Sequence, residues 1–103
     1  MTKYRAKKTN GYASKKEADR AFFLRILVAD GCIADLREQV VYELAPGVVI
    51  QGRKRPPLRY IADFVYQAHG KQVVEDVKGM ITPVYRIKRH LMKAIHGIDI
   101  HET

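Results

Sequence analysis

The stretch that decides the fold reads Arg59-Tyr-Ile-Ala-Asp-Phe-Val-Tyr66, then His69-Gly70, then Lys71-Gln-Val-Val-Glu-Asp-Val-Lys-Gly79. Both long segments are rich in Val, Ile, Tyr and Phe, which favour β-strands. The glycine of the pair between them can adopt the positive φ that a two-residue hairpin loop requires. We therefore predict two antiparallel strands joined by a tight turn.

The predicted hairpin brings two acidic side chains together. If the His69-Gly70 pair forms the loop, counting back along both strands places Asp63 opposite Asp76. Directly opposed side chains on antiparallel strands lie roughly 5 Å apart at Cβ, and like charges there destabilise the sheet unless a cation lies between them. This end of the hairpin is therefore a candidate site for a positively charged group.

The alternation of side chains along a strand adds a lysine to the two acids. Lys78 is expected on the same face as Asp76, whereas Glu75 and Val77 are expected to point the other way. A wider loop that kept the strand parity would shift the register by two residues, and it would still leave Asp63, Asp76 and Lys78 on one face.

Two acids and one lysine, in the order Asp63 and then Asp76-Val77-Lys78, resemble the motif of the PD-(D/E)xK nucleases, the restriction-endonuclease-like superfamily. The context strengthens the resemblance, because a helix that carries Glu17 precedes the hairpin and a basic helix follows it. Ala62 stands where the motif's name has proline, a residue that many members lack. Residues 4–101 look like a small phage-encoded branch of that superfamily.

This resemblance implies both a fold and an activity. The fold would be α/β, with a restriction-endonuclease-like core of a mixed central β-sheet flanked by helices, in one domain over residues 1–103. The activity would be Mg²⁺-dependent hydrolysis of DNA phosphodiester bonds by an endonuclease, with branched or structured DNA such as Holliday junctions as a substrate. A non-catalytic nucleic-acid-binding module that retains the nuclease fold is the alternative.

The predicted metal site consists of oxygen ligands. Hard oxygen ligands suit Mg²⁺, which keeps several waters, so we expect Asp63, Asp76 and the Val77 carbonyl to hold one ion. Mn²⁺ can substitute at such a site. Lys78 would orient or help to activate the attacking water. Its neighbour Asp76 is expected to keep it charged, which favours electrostatic stabilisation of the transition state as its role.

Glu17 has two interpretations. Ser14-Lys15-Lys16-Glu17 matches a capping box, in which the serine caps a helix and the glutamate reaches back to it. Glu17 also continues a core-facing stripe with Ala21, Leu24 and Val28, so its carboxylate could face the active site. The resemblance favours this second role, because related nucleases carry an acid on the first helix, and the two roles can coexist.

The charge of the chain indicates a polyanionic partner. The net charge is +8 and the pI is about 9.8, which makes DNA the most economical partner, although a merely solvated basic surface is the alternative. The residues expected to contact DNA are Arg53, Lys54, Arg55, Arg59, Tyr85 and Lys88. The basic residues 1–13 are expected to form an arm that orders only on a partner.

Location and assembly follow from simpler patterns. No apolar run approaches the roughly 20 residues of a membrane span, and no apolar segment follows the basic N-terminus as it would in a signal peptide. We therefore expect a cytoplasmic protein of a bacterial or phage-infected host cell, with no membrane partner. A homodimer is expected because one small domain supplies one site, whereas cutting a duplex needs two.

The segments around the hairpin carry weaker patterns. Residues 33–44 are predicted as the first strand, and the side chains expected on one face of it are Leu36, Val40, Tyr42 and Leu44. Gln39, on the other face, could reach a phosphate or lie in solvent, and we expect it in solvent. Cys32 is expected to be a small buried hydrophobe, and residues 51–58, with three basic residues and two prolines, are expected to form a loop.

Overall fold

The computed structural model describes residues 11–103, which fold into two helices and six strands. In chain order the elements are α1 (Lys15–Ala29), β1 (Ala34–Ala45), β2 (Val48–Ile50), β3 (Arg53–Arg55), β4 (Leu58–Ala68), β5 (Lys71–Asp76), α2 (Pro83–His96) and β6 (Ile100–Glu102). Residues 1–10 lie outside the described residues, and with them most of the predicted basic arm.

Four strands form the central sheet. Their order is β1-β4-β5-β6, in which β4 is antiparallel to β1 and β5, and β6 is parallel to β5. The strands β2 and β3 pair with each other as a separate ribbon. The predicted α/β fold with a mixed central sheet is therefore confirmed. Its finer identification as a restriction-endonuclease-like core stays a prediction.

The β4–β5 hairpin has the register that a two-residue loop requires. Ala68 pairs with Lys71, and the ladder continues to Phe64 opposite Glu75. Both loop residues have positive φ, 54° and 74°, as expected for a type I′ turn. One step beyond this last pair, Asp63 of β4 and Asp76 of β5 occupy opposite positions of the two strands.

Capping side chains determine where the helices begin. The hydroxyl of Ser14 accepts a hydrogen bond from the N–H of Glu17 at 3.1 Å. The hydroxyl of Thr82 accepts one from the N–H of Tyr85, also at 3.1 Å. α2 ends at Gly97, whose φ of 69° lies in the left-handed region that glycine tolerates best. In the part of the chain that the structure describes, neither helix is long and apolar enough to cross a membrane.

Two hydrophobic clusters lie on opposite faces of the sheet. Phe64 packs with Ala21 and Leu24 of α1, whereas its neighbour Val65 packs with Met92 of α2. Adjacent residues of a strand point to opposite faces, so α1 covers one face of the sheet and α2 covers the other. The hairpin is thus buried between the two helices.

The alternation of faces reverses within β1 and β4. Tyr60 packs in the α2 cluster, although it shares strand parity with Phe64 of the α1 cluster. In β1, Leu36 packs in the α1 cluster and Val40 in the α2 cluster. Gln39 lies between these two and has a φ of 55°, which turns the strand over. The prediction that Leu36 shares a face with the later residues of β1 is therefore wrong.

Three further predictions are wrong. Cys32 is exposed, because it lies in the bend that follows α1. Val28 is 39% exposed, and Leu27 packs against the α1 cluster in its place. Residues 51–58 are not all loop, because a tight turn after β2 brings three of them into β3.

Candidate active site

A groove of about 740 Å³ opens where the N-terminal ends of α1 and α2 meet the end of the β4–β5 hairpin. We call it the carboxylate groove. The predicted site residues that line it are Glu17, Arg59, Asp63, Asp76, Val77, Lys78, Tyr85 and Lys88. The other three, Arg53, Lys54 and Arg55, form β3 and lie outside the groove. A second cavity of about 600 Å³ adjoins it and shares Glu17 and Asp63.

Asp63 projects from β4 and is held by the opposite strand. Its Oδ2 accepts a hydrogen bond from the N–H of Val77 at 2.8 Å. This N–H is available because β5 ends one residue earlier, at Asp76. The end of the ladder therefore orients the first carboxylate of the predicted motif.

Asp76 is buried at the last position of β5, with 5% exposure. Its Oδ2 accepts a hydrogen bond from the hydroxyl of Tyr60 at 2.7 Å and pairs with Nζ of Lys78 at 3.1 Å. Both contacts fall on one oxygen of the carboxylate, Oδ2. Burial, with the Asp76 carboxylate acting in the same direction, raises the pKa of Tyr60, so this hydroxyl stays a proton donor.

Lys78 is held in place by its side chain and its backbone. Its Nζ lies 3.6 Å from the centroid of the Tyr85 ring, a cation–π contact. Its N–H donates to the carbonyl of Thr103 at 3.0 Å, and its carbonyl accepts from Nζ of Lys16 at 2.7 Å. Lys78 therefore presents its charge in the groove in a defined position, next to the buried carboxylate.

Glu17 lies in the first turn of α1, as the capping prediction requires, and its side chain also lines the carboxylate groove. Its backbone N–H is capped by Ser14, but its carboxylate accepts a hydrogen bond from Nε2 of Gln39 at 3.2 Å. Among the hydrogen bonds of residues 11–103, none returns from this carboxylate to the N–H of Ser14, so only half of the capping box forms. The side chain is 8% exposed and lines the groove. Its role at a metal remains a prediction.

Gln39 is the residue that the sequence patterns missed. Gln39 is exposed, as expected, but its Nε2 also lies 3.2 Å from Oε2 of Glu17 and 3.4 Å from Oδ1 of Asp63. A single amide thus bridges the carboxylates of α1 and β4. The signal that could have identified Gln39 is the break in alternation at Glu38, because that break marks where β1 turns over.

The carboxylates of the groove repel one another. Burial raises the pKa of Asp63 to about 7, and the neighbouring Asp76 and Glu17 act in the same direction, while the hydrogen bond from Val77 opposes them. Burial, followed by the charges of Asp76 and Glu38, also raises the pKa of Glu17. The groove therefore concentrates negative charge that a bound cation would stabilise.

This repulsion predicts how stability depends on pH in the metal-free protein. Folded Asp63 keeps its proton to about pH 7, whereas the unfolded chain loses it near the ordinary value of 3.8. Between these values the unfolded state binds fewer protons, so the free energy of unfolding should fall as the pH rises. Urea denaturation in the presence of a chelator should show this fall, and Asp63→Asn should remove it. Identical pH profiles for the two proteins would contradict the charge crowding.

The donor set of the groove fits Mg²⁺. In residues 11–103 no three side chains of His, Cys, Asp or Glu form a ready-made metal cage. Mg²⁺ does not require one, because it binds through one or two carboxylates and keeps several waters. Asp63 and Asp76 offer the carboxylate oxygens, and Val77, between Asp76 and Lys78, is the predicted source of a carbonyl ligand.

Three of the residues predicted to contact DNA line the carboxylate groove, and the other three form β3. Arg59 and Lys88 line the carboxylate groove. Tyr85 lines it too, but it is 6% exposed and its hydroxyl donates to Glu102 at 2.6 Å. The contacts of Tyr85 are thus those of a residue that supports Lys78, and contact with DNA stays a prediction for it.

Comparison with known proteins identifies a family but no characterised relative. A family model with the description Protein of unknown function (DUF1064) matches residues 1–101. No curated protein and no solved structure matches the chain.

Proposed function

The chain belongs to the DUF1064 family of proteins of unknown function, and we propose that it is an Mg²⁺-dependent DNA endonuclease that hydrolyses phosphodiester bonds. One observation carries this proposal: the carboxylates of Asp63 and Asp76 line the same groove, with the ammonium of Lys78 at 3.1 Å from Asp76. Two carboxylates for a hard cation and one fixed cation beside them are groups that support metal-dependent phosphodiester hydrolysis.

Each group would have a separate task. Asp63, Asp76 and the carbonyl of Val77 would hold Mg²⁺, with Mn²⁺ as a substitute. When bound, the ion would stabilise the charge that develops on the phosphate and would make water more acidic. Lys78 would stabilise the charge that develops on the phosphate and would orient the attacking water. Tyr60 would keep Asp76 in place by its hydrogen bond to Oδ2.

The basic side chains near the groove suit a phosphate backbone. In the described part of the chain, no acidic partner lies within ion-pair distance of the cations of β3, Arg59 or Lys88. Cations without acidic partners are free to neutralise phosphates, which is the main source of affinity in DNA binding. On this ground we propose DNA as the substrate. We further propose that branched or structured DNA is among the substrates. The proposed location is the cytoplasm of a bacterial or phage-infected host cell.

Salt dependence measures the contribution of β3 to this binding. Each phosphate neutralised on duplex DNA contributes about 0.9 to the slope of log K against log salt. Replacing Arg53, Lys54 and Arg55 together by glutamine should therefore flatten the slope by about one to three units. Fluorescence anisotropy over a salt series measures both slopes. If the slope does not change, these side chains are only solvated.

Cleavage assays test the proposed activity itself. Supercoiled, linear and branched DNA should be cut in Mg²⁺ or Mn²⁺ and should remain intact in a chelator. Binding without cleavage of any of these substrates would instead indicate the non-catalytic module. Sedimentation of the protein with and without DNA tests the homodimer, which we propose because duplex cutting needs a second site.

A further inference from the structure

The β2–β3 ribbon, residues 48–55, extends the β1–β4 hairpin beyond the central sheet. Ala45 pairs with Leu58 at the last step of that hairpin, and the ribbon connects the two strands. Gln51 and Gly52 close it with φ values of 50° and 77°, as in a two-residue loop. Among the described residues, its strands pair only with each other.

The backbone is conformationally restricted at the two ends of the ribbon, where it joins β1 and β4. Gly47 leaves no room for a side chain, because a Cβ there would lie 2.9 Å from the carbonyl oxygen of Arg55. Prolines on both sides of the ribbon, Pro46, Pro56 and Pro57, restrict φ at its two ends. These residues therefore restrict the backbone conformation where the ribbon joins the sheet.

The apolar strand of the ribbon has no role in the core. Val48, Val49 and Ile50 are 49%, 66% and 52% exposed, and neither hydrophobic cluster includes them. Because these three β-branched side chains are exposed, they do not stabilise the fold by burial. A two-stranded ribbon is also only marginally stable by itself. Their exposure indicates a surface that a partner covers.

The charges of the ribbon show which kind of partner this is. Val48, Val49 and Ile50 pair across the ribbon with Arg55, Lys54 and Arg53, and residues 44–62 contain no Asp or Glu. Each face of the ribbon thus combines apolar side chains with cations. Nucleic acid complements both, through its phosphates and its base faces. A second copy of the ribbon would place like charges against each other, which disfavours self-pairing.

The ribbon leads directly into the carboxylate groove. Pro57, Leu58 and Arg59, which follow it, line the groove. Leu58 and Asp63 are separated by five steps of an extended strand, or roughly 17 Å. Along the axis of a stacked duplex this distance corresponds to about five nucleotides of one strand.

We infer that the β2–β3 ribbon is a wedge that recognises interrupted base stacking, about five or more nucleotides from the phosphate in the carboxylate groove. Val49 and Ile50, which point to opposite faces of the ribbon, contact the base faces on the two sides of the interruption, and the three cations of β3 hold the adjoining phosphates. The inference rests on the proposed function only in assuming that the groove holds DNA.

The chemistry of β2 favours a wedge over a reader of base sequence. Reading base edges requires hydrogen-bonding side chains, and Val48, Val49 and Ile50 have none. Apolar side chains that enter DNA act instead as wedges between base steps. Unstacking is easiest where a gap, mismatch or single-stranded segment has already interrupted the stack.

The test compares two DNAs that differ only in stacking. The full chain is mixed in a chelator with a continuous duplex, and with the same duplex carrying a short gap, and anisotropy gives both dissociation constants. The wild type should prefer the gapped DNA. The double variant Val49→Thr with Ile50→Thr should lose about tenfold of this preference, because threonine at both positions removes apolar surface that the bases would otherwise bury. Its salt slope should not change, because apolar contacts release no counterions.

Val41→Thr is the matched control. Val41 is 54% exposed on β1 and does not line the groove, so the same substitution there should leave the preference intact. Circular dichroism should show that all variants fold, since the residues replaced lie outside both clusters.

Each outcome decides the inference. Loss of the preference with an unchanged salt slope supports the wedge, even if no DNA is cut in Mg²⁺, in which case only the proposed function fails. An unchanged preference in the double variant overturns the wedge. A double variant that keeps the preference but loses self-association in sedimentation also overturns it and makes the ribbon a contact between copies.

Discussion

Asp76→Asn should lower DNA cleavage by about a thousandfold or more while the protein stays folded, because it neutralises a carboxylate of the proposed metal site. The structure explains why asparagine is the informative replacement. The side-chain oxygen of asparagine can still accept the hydrogen bond that the Tyr60 hydroxyl donates to Asp76 at 2.7 Å in the wild type. Single-turnover cleavage at saturating protein separates a loss of chemistry from a loss of binding. Asp63→Asn should have an effect of similar size.

Asp99→Asn is the matched control for this substitution. Asp99 is an exposed acid that pairs with Lys93 and does not line the carboxylate groove. An exposed pair of this kind contributes little to stability, so both cleavage and folding should stay near the wild-type level. If Asp76→Asn cleaved as fast as Asp99→Asn, Asp76 would not be a metal ligand, and the proposed site would be wrong.

Glu75→Ala should lower the free energy of unfolding by about 2–4 kcal/mol, because it leaves a cavity at a fully buried position and removes the hydrogen-bond partner of Tyr66 and of partly buried Arg20. Glu75 is fully buried, with 0% exposure. The Arg20 guanidinium makes two hydrogen bonds to it, the one from Nη2 to Oε1 at 2.9 Å, and the hydroxyl of Tyr66 donates at 2.7 Å. Urea denaturation measures the loss.

Glu75→Gln keeps this prediction testable if the alanine variant does not fold. Glutamine keeps the volume of the side chain and an oxygen for Tyr66, but it loses the charge and one acceptor for Arg20, so a smaller loss of stability than for alanine is expected. Because Glu75 lies on the α1 face and Asp76 on the α2 face, Glu75→Gln should keep substantial cleavage at low temperature. A stable Glu75→Gln protein that cleaves no DNA would mean that the wrong one of the two adjacent acids has been assigned to the metal.

The sequence by itself determined the hairpin and the side chains at its end. Strand propensity, a loop of two residues and the alternation of faces are all local properties. They were sufficient to predict the pairing of Ala68 with Lys71 and the common face of Asp76 and Lys78, which the register and the 3.1 Å ion pair confirm. Helix ends were also predictable, because a capping residue acts within its own turn.

Only the tertiary structure decided what surrounds the two acids. Gln39 reaches Glu17 and Asp63 because β1 turns over at a residue with φ of 55°, and no propensity predicts a left-handed glutamine. Tyr60 reaches Asp76, and Arg20 reaches Glu75, across 16 and 55 positions of the chain. A buried carboxylate is costly unless it accepts hydrogen bonds, so its partners are the donors that the packed elements bring near it, whatever their distance along the chain.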